Sequence, residues 1–482
     1  MSEVSPGVPR YPGAQPFSDD PISRKVFFGR ERECRELVDQ ILANRLTVVY
    51  ARSGAGKSSL LNAGVAPRLR ELGFAPLIAR VNDVASGPMR SAIAGVLSHA
   101  AGQGLEIIAD GGDTLAEKLT RTEFWLGDVL LRPVLILDQF EELFTLYEPE
   151  AQDRFLGQLA ELVRGQSGAV TVVLSMREDY VTYLEDAAGH LPRILDHRFR
   201  LAPLRLESAR EALLRPAEVE DMGFASRPFR YEEGAIDVVL DYLGDLAVST
   251  RHRGPQWIEP FYLQLICRHL EAVARKRQLG GSQDVVLTRA DVGGQKALDR
   301  LLRDFFKAAV AKVAGCRARG RVRKLCVNHL ISVDGRRVSL SEHEISERSK
   351  VKRTALDILV DARILRFETR AGVIYYELGH DAMIEPVLGL RRNRMRTMAC
   401  VSMFISATLI LFWVVSLSTL ISDMPSWRYT FNEATIAERI GLSIGILLCL
   451  YLIYLMMKWF RRSWRTFKKY RSTRKPPKAN AR

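Results

Sequence analysis

Short apolar runs bounded by turn residues alternate with helical patterns along the first part of this chain. Arg45–Tyr50 (RLTVVY), Pro133–Leu137 (PVLIL) and Val170–Met176 (VTVVLSM) are such runs. They suit strands buried on both faces of a parallel sheet. Gln152–Arg164, between the last two, carries helical spacing. Strands alternating with helices predict an α/β parallel sheet over about residues 25–200. From Leu206 to Leu279 the pattern is mostly helical. Over about 296–390, helices precede two β-prone pieces, Arg363–Thr369 (RILRFET) and Ala371–Leu378 (AGVIYYEL), joined by a turn at Arg370–Gly372. This order predicts a small winged-helix unit.

Two longer apolar runs come late. Met398–Ile421 has 24 residues without a charge and Ile440–Met457 has 18. A bilayer core takes about 20 helical residues, so both are expected to span a membrane. Charge supports the same expectation. Gly389–Met398 holds four Arg and Lys458–Arg482 eleven Lys or Arg, with no acid in either, so the remainder sums to −1 against a total of +14. Basic flanks of this kind mark the cytoplasmic side and attract anionic membrane lipids. The expected layout is a two-helix hairpin in the inner (cytoplasmic) membrane of a bacterium, with both chain ends inside.

Composition adds little else. The six cysteines form no Cys-x-x-Cys pair, so reduced thiols are expected, with no disulfide framework or metal knuckle. Residues 1–22 lack an apolar core and read as a loose leader rather than a signal peptide.

The central motif is Ala51–Ser58 (ARSGAGKS), between the run ending at Tyr50 and a helical pattern. Strand, glycine-rich loop and helix form a phosphate-binding loop. Gly54, Ala55 and Gly56 allow backbone N–H groups to wrap a phosphate at a helix N-terminus. Lys57 is placed to reach the β- and γ-phosphates, and Ser58 to ligate Mg²⁺. The first glycine of the usual pattern is Ala51 here. Asp138, ending the run Pro133–Leu137, is the expected second Mg²⁺ ligand, and Glu141 or Glu142 is placed to orient the attacking water. Arg177, just past the third run, is expected to sense the γ-phosphate.

These pieces together resemble the novel STAND NTPases, prokaryotic relatives of the NACHT and apoptotic ATPases. The resemblance rests on Tyr11–Phe17 (YPGAQPF), Phe28–Glu31 (FGRE), Ser53–Ser59 (SGAGKSS) and Asp138–Phe144 (DQFEELF). It continues through Arg177–Asp179 (RED), Pro203 and Leu204, Arg215–Ala217 (RPA), Asp291–Gly294 (DVGG) and Tyr376–Asp381 (YELGHD). It implies a slow signal-transduction ATPase whose P-loop domain, helical lid and winged helix clamp ADP in an off state. Exchange for ATP then permits homo-oligomerisation. The resemblance places Phe28, Gly29 and Arg30 near the adenine, and Ser53 and Ser59 in the loop. It makes Pro216 the lid proline and His380 the winged-helix histidine that contacts the ADP β-phosphate. Many members add a long repeat array as sensor. Here the winged helix is expected to run straight into the hairpin, leaving the trigger to a partner protein, the bilayer, or no sensor at all.

The expected organisation is a leader (1–24), a P-loop NTPase domain (25–204), a helical lid (205–294) and a winged helix (295–395). Two spans (396–421, 440–458), a short outer loop (422–439) and a basic tail (459–482) complete it. The leading expectation is a membrane-anchored switch, acting either as a defence effector through its hairpin or as a scaffold for a partner. A transport ATPase is disfavoured, because no Ser-Gly-Gly-Gln-type signature precedes Asp138. Arg317, Arg319, Arg321, Arg323 and Lys324 would suit nucleic-acid phosphates, but a solvated helix start explains them more simply.

Overall fold

The computed structural model describes residues 7–471, except 53, 110, 113, 165–169, 192, 250–256, 333–335, 363, 371–372, 380–382 and 423–435. Its contacts divide the chain into two units, Met1–Pro386 and Val387–Arg482.

The first unit is built on a seven-stranded sheet of β1 (Leu46–Ala51), β2 (Phe74–Ala79), β3 (Glu106–Ala109), β4 (Thr122–Leu126), β5 (Val129–Asp138), β6 (Thr171–Arg177) and β7 (Arg198–Arg200). Five strands run parallel in the order β2, β5, β6, β1, β7. β4 pairs antiparallel with the first part of β5, and β3 extends that edge. Alternate residues of each strand point to opposite faces, and both faces are apolar here. Val48, Leu135, Leu137, Val172 and Leu174 pack with Phe155 and Leu159 on one side. Val49, Val134, Ile136 and Val173 pack with Leu37, Ile41, Leu60 and Leu61 on the other. Burying each such side chain contributes about 1.5–3 kcal/mol. The three runs read from the sequence are thus the central strands, and a mostly parallel α/β sheet is confirmed.

The N-terminal segment, expected to be a loose leader, is tied down over its described part. Arg10 and Tyr11 are both 0% exposed. The Arg10 guanidinium donates to the Ser226 hydroxyl at 3.0 Å and to the carbonyls of Pro216 (2.9 Å), Val219 (2.7 Å) and Ser226 (2.9 Å). Its backbone N–H donates to Glu271 at 2.9 Å, and the Tyr11 hydroxyl donates to the Leu213 carbonyl at 2.5 Å. A buried cation is tolerated when acceptors surround it, and each nitrogen of the Arg10 guanidinium has one. The segment therefore straps the helices Leu206–Glu218 and Pro260–Leu279.

Beyond them come the helices Gly294–Ala311, Cys316–Asn328, Glu342–Ser349 and Arg353–Asp361. A three-stranded antiparallel sheet follows, with Val373–Leu378 between Leu365–Arg370 and Leu340–Ser341. The expected hairpin is present, and its strand Leu365–Arg370 packs against the helix Glu141–Leu146 that follows β5.

In the second unit the expected pair of membrane spans is corrected. Among the described residues one stretch, Thr397–Val415, is long and apolar enough to cross a bilayer, judged by length and composition alone. The second run lies in the helix Ile436–Arg471. Its 18 apolar residues stand at the short end of the roughly 17–25 that span a bilayer core. The packing register shortens a shared slab further. The Ser402 and Ser463 hydroxyls are hydrogen-bonded at 2.7 Å. This contact sets the basic stretch around Arg461, Arg462 and Arg465 level with the start of the first apolar run. The two runs then overlap over only about 14 residues, or about 21 Å. A two-helix hairpin, with the localisation and topology drawn from it, is not supported.

Candidate functional site

The loop after β1 opens onto a cavity of about 680 Å³ inside the first unit. Gly56 has φ 96°, a left-handed conformation that glycine adopts without strain, and it caps the helix that begins at Lys57. Gly56, Lys57 and Ser58 at that helix start line the cavity, and the N–H groups of a helix N-terminus suit an anion. Arg30, 5% exposed, braces the loop from behind, donating to the Ala55 carbonyl at 3.1 Å and to Glu33 at 2.7 Å. Lys57 Nζ lies 3.5 Å from the Ala51 carbonyl, so the alanine replacing the usual first glycine ends the strand and faces the lysine. Burial lowers the Lys57 pKa, opposed by Glu141 and Asp138.

β5 and β6 deliver the acidic side. Asp138 is 3% exposed. It accepts from the Ser58 hydroxyl at 2.6 Å and from the Ser175 hydroxyl at 2.8 Å, and Arg80 approaches it at 3.6 Å. Glu141 accepts the backbone N–H of Arg177 at 3.2 Å. Burial raises the pKa of Glu141, against the pull of Lys57. Burial pushes Glu142 up to about 8, and its Oε2 is buried without a hydrogen-bond partner. The donor set fits Mg²⁺: a hydroxyl and a carboxylate side by side next to a phosphate loop, with the remaining positions open to nucleotide and water oxygens.

The structure gathers most of the expected residues around this cavity. Gly54, Ala55, Gly56, Lys57, Ser58, Ser59, Asp138, Glu141, Glu142, Arg177, Phe28 and Arg30 all line it. Two expected residues stand apart from this lining. Gly29 (φ 82°) packs against the helix Leu206–Glu218, where an added Cβ would lie 2.2 Å from the Ser208 carbonyl oxygen. Pro216 is buried in the helix Leu206–Glu218 with its carbonyl on Arg10, while Ala212, Pro260 and Phe261 furnish the cavity wall on that side. Ser53 and His380 lie outside the described residues.

Sequence reasoning missed two arginines that line the cavity. Arg80 follows β2, whose Pro76 masked it as a strand, although an arginine just past a buried run was the available signal. Arg366 comes from the C-terminal hairpin, more than 200 positions along the chain, and no local pattern announces it.

A parallel sheet whose P-loop and strand-end aspartate meet across one cavity defines an α/β P-loop NTPase. Residues 10–244 match the family described as Novel STAND NTPase 1. Over that stretch the chain is a novel STAND NTPase. No curated protein matches it. Among solved structures it is similar to a Walker-type ATPase of Pyrococcus abyssi (14% identity, TM-score 0.40, covering 77% of this chain and 98% of that one). It is also similar to the ORC2 protein of Aeropyrum pernix in ADPNP–ADP complexes (14%, TM-score 0.39, 76% and 94%). A third is Cdc6p of Pyrobaculum aerophilum (14%, TM-score 0.34, 75% and 94%).

Proposed function

We propose that this chain is a nucleotide-dependent switch, closed with ADP and opened by exchange for ATP, whose open form self-associates. The observation that carries the reading is the make-up of the cavity wall. The P-loop supplies the floor, the helices Leu206–Glu218 and Pro260–Leu279 supply one side, and the hairpin residues Leu365, Arg366, Phe367 and Ile374 supply another. A nucleotide held there touches three parts of the chain at once, so its phosphates bias how those parts pack. The helical part acts as a lid and the part from Gly294 to the hairpin as a winged helix used as a clamp.

Phe28 faces the base, the loop and Lys57 hold the phosphates, and Ser58 with Asp138 hold Mg²⁺. When bound, that ion screens the phosphate charge. Glu141 is the residue that orients water, since it sits between Lys57 and the Arg177 backbone. Turnover is slow, since a switch needs no high flux, and burial holds Glu142 up at about 8 in the ligand-free site. A partner protein that supplies the trigger belongs to the same reading.

The test is nucleotide binding and mass by light scattering, with ADP or a non-hydrolysable ATP analogue. The expected result is binding by the wild type, loss in Lys57→Ala, and a larger particle with the ATP analogue alone. Equal mass in all nucleotide states would sink the switch, and equal binding by Lys57→Ala would sink the site.

A further inference from the structure

Three arginines crowd one carboxylate beside the P-loop. Glu377, 8% exposed on the central strand of the C-terminal sheet, contacts Arg366 closely, Arg337 at 3.4 Å and Arg177 at 3.9 Å. Arg177 also pairs with Asp179, and Arg337 donates to the Leu378 carbonyl at 3.2 Å. Arg366 is different. Its Nε and Nη1 are buried with no hydrogen-bond partner, as is the Nε of Arg177. Arg10 shows what this fold does with a buried guanidinium that has no ligand to wait for: every nitrogen is occupied by the protein. Unpaired buried donors carry the full penalty of lost hydration. Burial, with Arg177 and Arg337 nearby, pulls Arg366 down to about 8, the mark of a cation short of counter-charge. Arg366 lines the same cavity as Lys57.

We infer that Arg366 is a ligand for the terminal phosphate of ADP or ATP, supplied by the C-terminal hairpin, and that Glu377 is the carboxylate it exchanges for that phosphate. The inference rests on the nucleotide reading above and names the group through which the hairpin meets the phosphates. A phosphate accepts from a planar guanidinium through two oxygens, so it satisfies the donors that Glu377 leaves unpaired. Without nucleotide, Glu377 is the carboxylate that the three cations share, with Asp179 on Arg177. With nucleotide, Arg366 turns to the phosphate and Glu377 is left to Arg337 and Arg177. The hairpin strand bearing Arg366 packs on the helix that carries Glu141 and Glu142, so this exchange joins the C-terminal sheet to the phosphate end of the cavity.

The experiment uses the full chain, with ADP and a non-hydrolysable ATP analogue as probes, and reads affinity and thermal midpoint in wild type, Arg366→Met, Glu377→Gln and Lys57→Ala. Arg366→Met is expected to weaken both nucleotides about tenfold or more, as loss of a charged hydrogen bond implies. It should leave the nucleotide-free midpoint unchanged or higher, because a crowded cation has gone. Glu377→Gln is expected to do the reverse, with a lower nucleotide-free midpoint and a larger rise on adding ADP. A purely structural Arg366 would lower the nucleotide-free midpoint and spare affinity, and that result overturns the proposal. Wild-type affinity in Arg366→Met with loss in Lys57→Ala refutes this inference alone. Absence of binding in wild type and Lys57→Ala alike refutes the nucleotide reading with it.

Discussion

The Ser58 hydroxyl donates to Asp138 Oδ2 across 2.6 Å, joining the residue after the P-loop lysine to the end of β5. Two oxygens meant for one divalent cation are thus already adjacent. The carboxylate is steadied from its other side by Ser175 at 2.8 Å. Ser58→Ala is therefore expected to bind ADP in EDTA as the wild type does, and to lose the tightening that Mg²⁺ gives. Titration of a fluorescent ADP with and without Mg²⁺ checks this, and equal Mg²⁺ dependence in both proteins would rule out Ser58 as a ligand.

The two glutamates are expected to separate under mutation. Glu141 is tied to Arg177 of β6 and lies in the field of Lys57, while Glu142 faces Arg80. Glu141→Gln should keep ATP affinity while hydrolysis falls about 10²-fold or more, as removal of a positioned general base implies. Glu142→Gln should keep more of its turnover. Phosphate release under single-turnover conditions decides, and the opposite ranking would exchange the two roles.

How much of this was legible in the sequence follows from how local each feature is. The P-loop and Asp138 sit on strand ends whose apolar runs declare themselves, so both the fold class and the floor of the cavity could be read directly. β2 could not, because Pro76 argues against a strand; it is tolerated since β2 pairs only with β5 at the margin of the parallel set. Arg10 was hidden in a Pro- and Gly-rich stretch that looks like a leader but folds as a strap. Arg366 reaches the cavity through tertiary packing alone. The paired-span expectation failed because hydropathy counts residues and ignores register, which the Ser402–Ser463 contact fixes.

Gly29 illustrates a residue whose family resemblance points to the base but whose geometry points to packing. Its φ of 82° and the Ser208 carbonyl oxygen, 2.2 Å from where a Cβ would stand, leave no room for one. Gly29→Ala should cost about 2–3 kcal/mol through backbone strain and displacement of the helix start. Urea unfolding of the nucleotide-free protein measures it, and a change under half that size would mean the helix yields freely.

The N-terminal strap makes a sharper stability test. Arg10→Ala removes a cation that attracts Glu271, 3% exposed, and it strips the carbonyls of Pro216, Val219 and Ser226 of a donor. Breaking a buried charge network from one side costs about 3–5 kcal/mol. The loss should appear in the urea midpoint with Lys57-dependent nucleotide binding preserved at low denaturant, since Arg10 does not line the cavity. Loss of binding without loss of stability would move Arg10 from the scaffold to the site.

The pH dependence of stability gives the last test. Glu142 is pushed up to about 8 by burial, whereas in the unfolded chain it titrates near the ordinary 4.5. The folded state therefore holds a proton that unfolding releases at neutral pH. Its contribution is fully present below about pH 4.5 and is lost as pH rises through about 8, above which the penalty is constant. Glu142→Gln carries no such proton. The difference in thermal midpoint, variant minus wild type, should accordingly grow from pH 5 to pH 8 and then level off in nucleotide-free protein. Mg²⁺ in the cavity should shrink it, because added positive charge favours the ionised carboxylate. A difference flat across that range would mean that Glu142 is ionised and solvated in the folded chain.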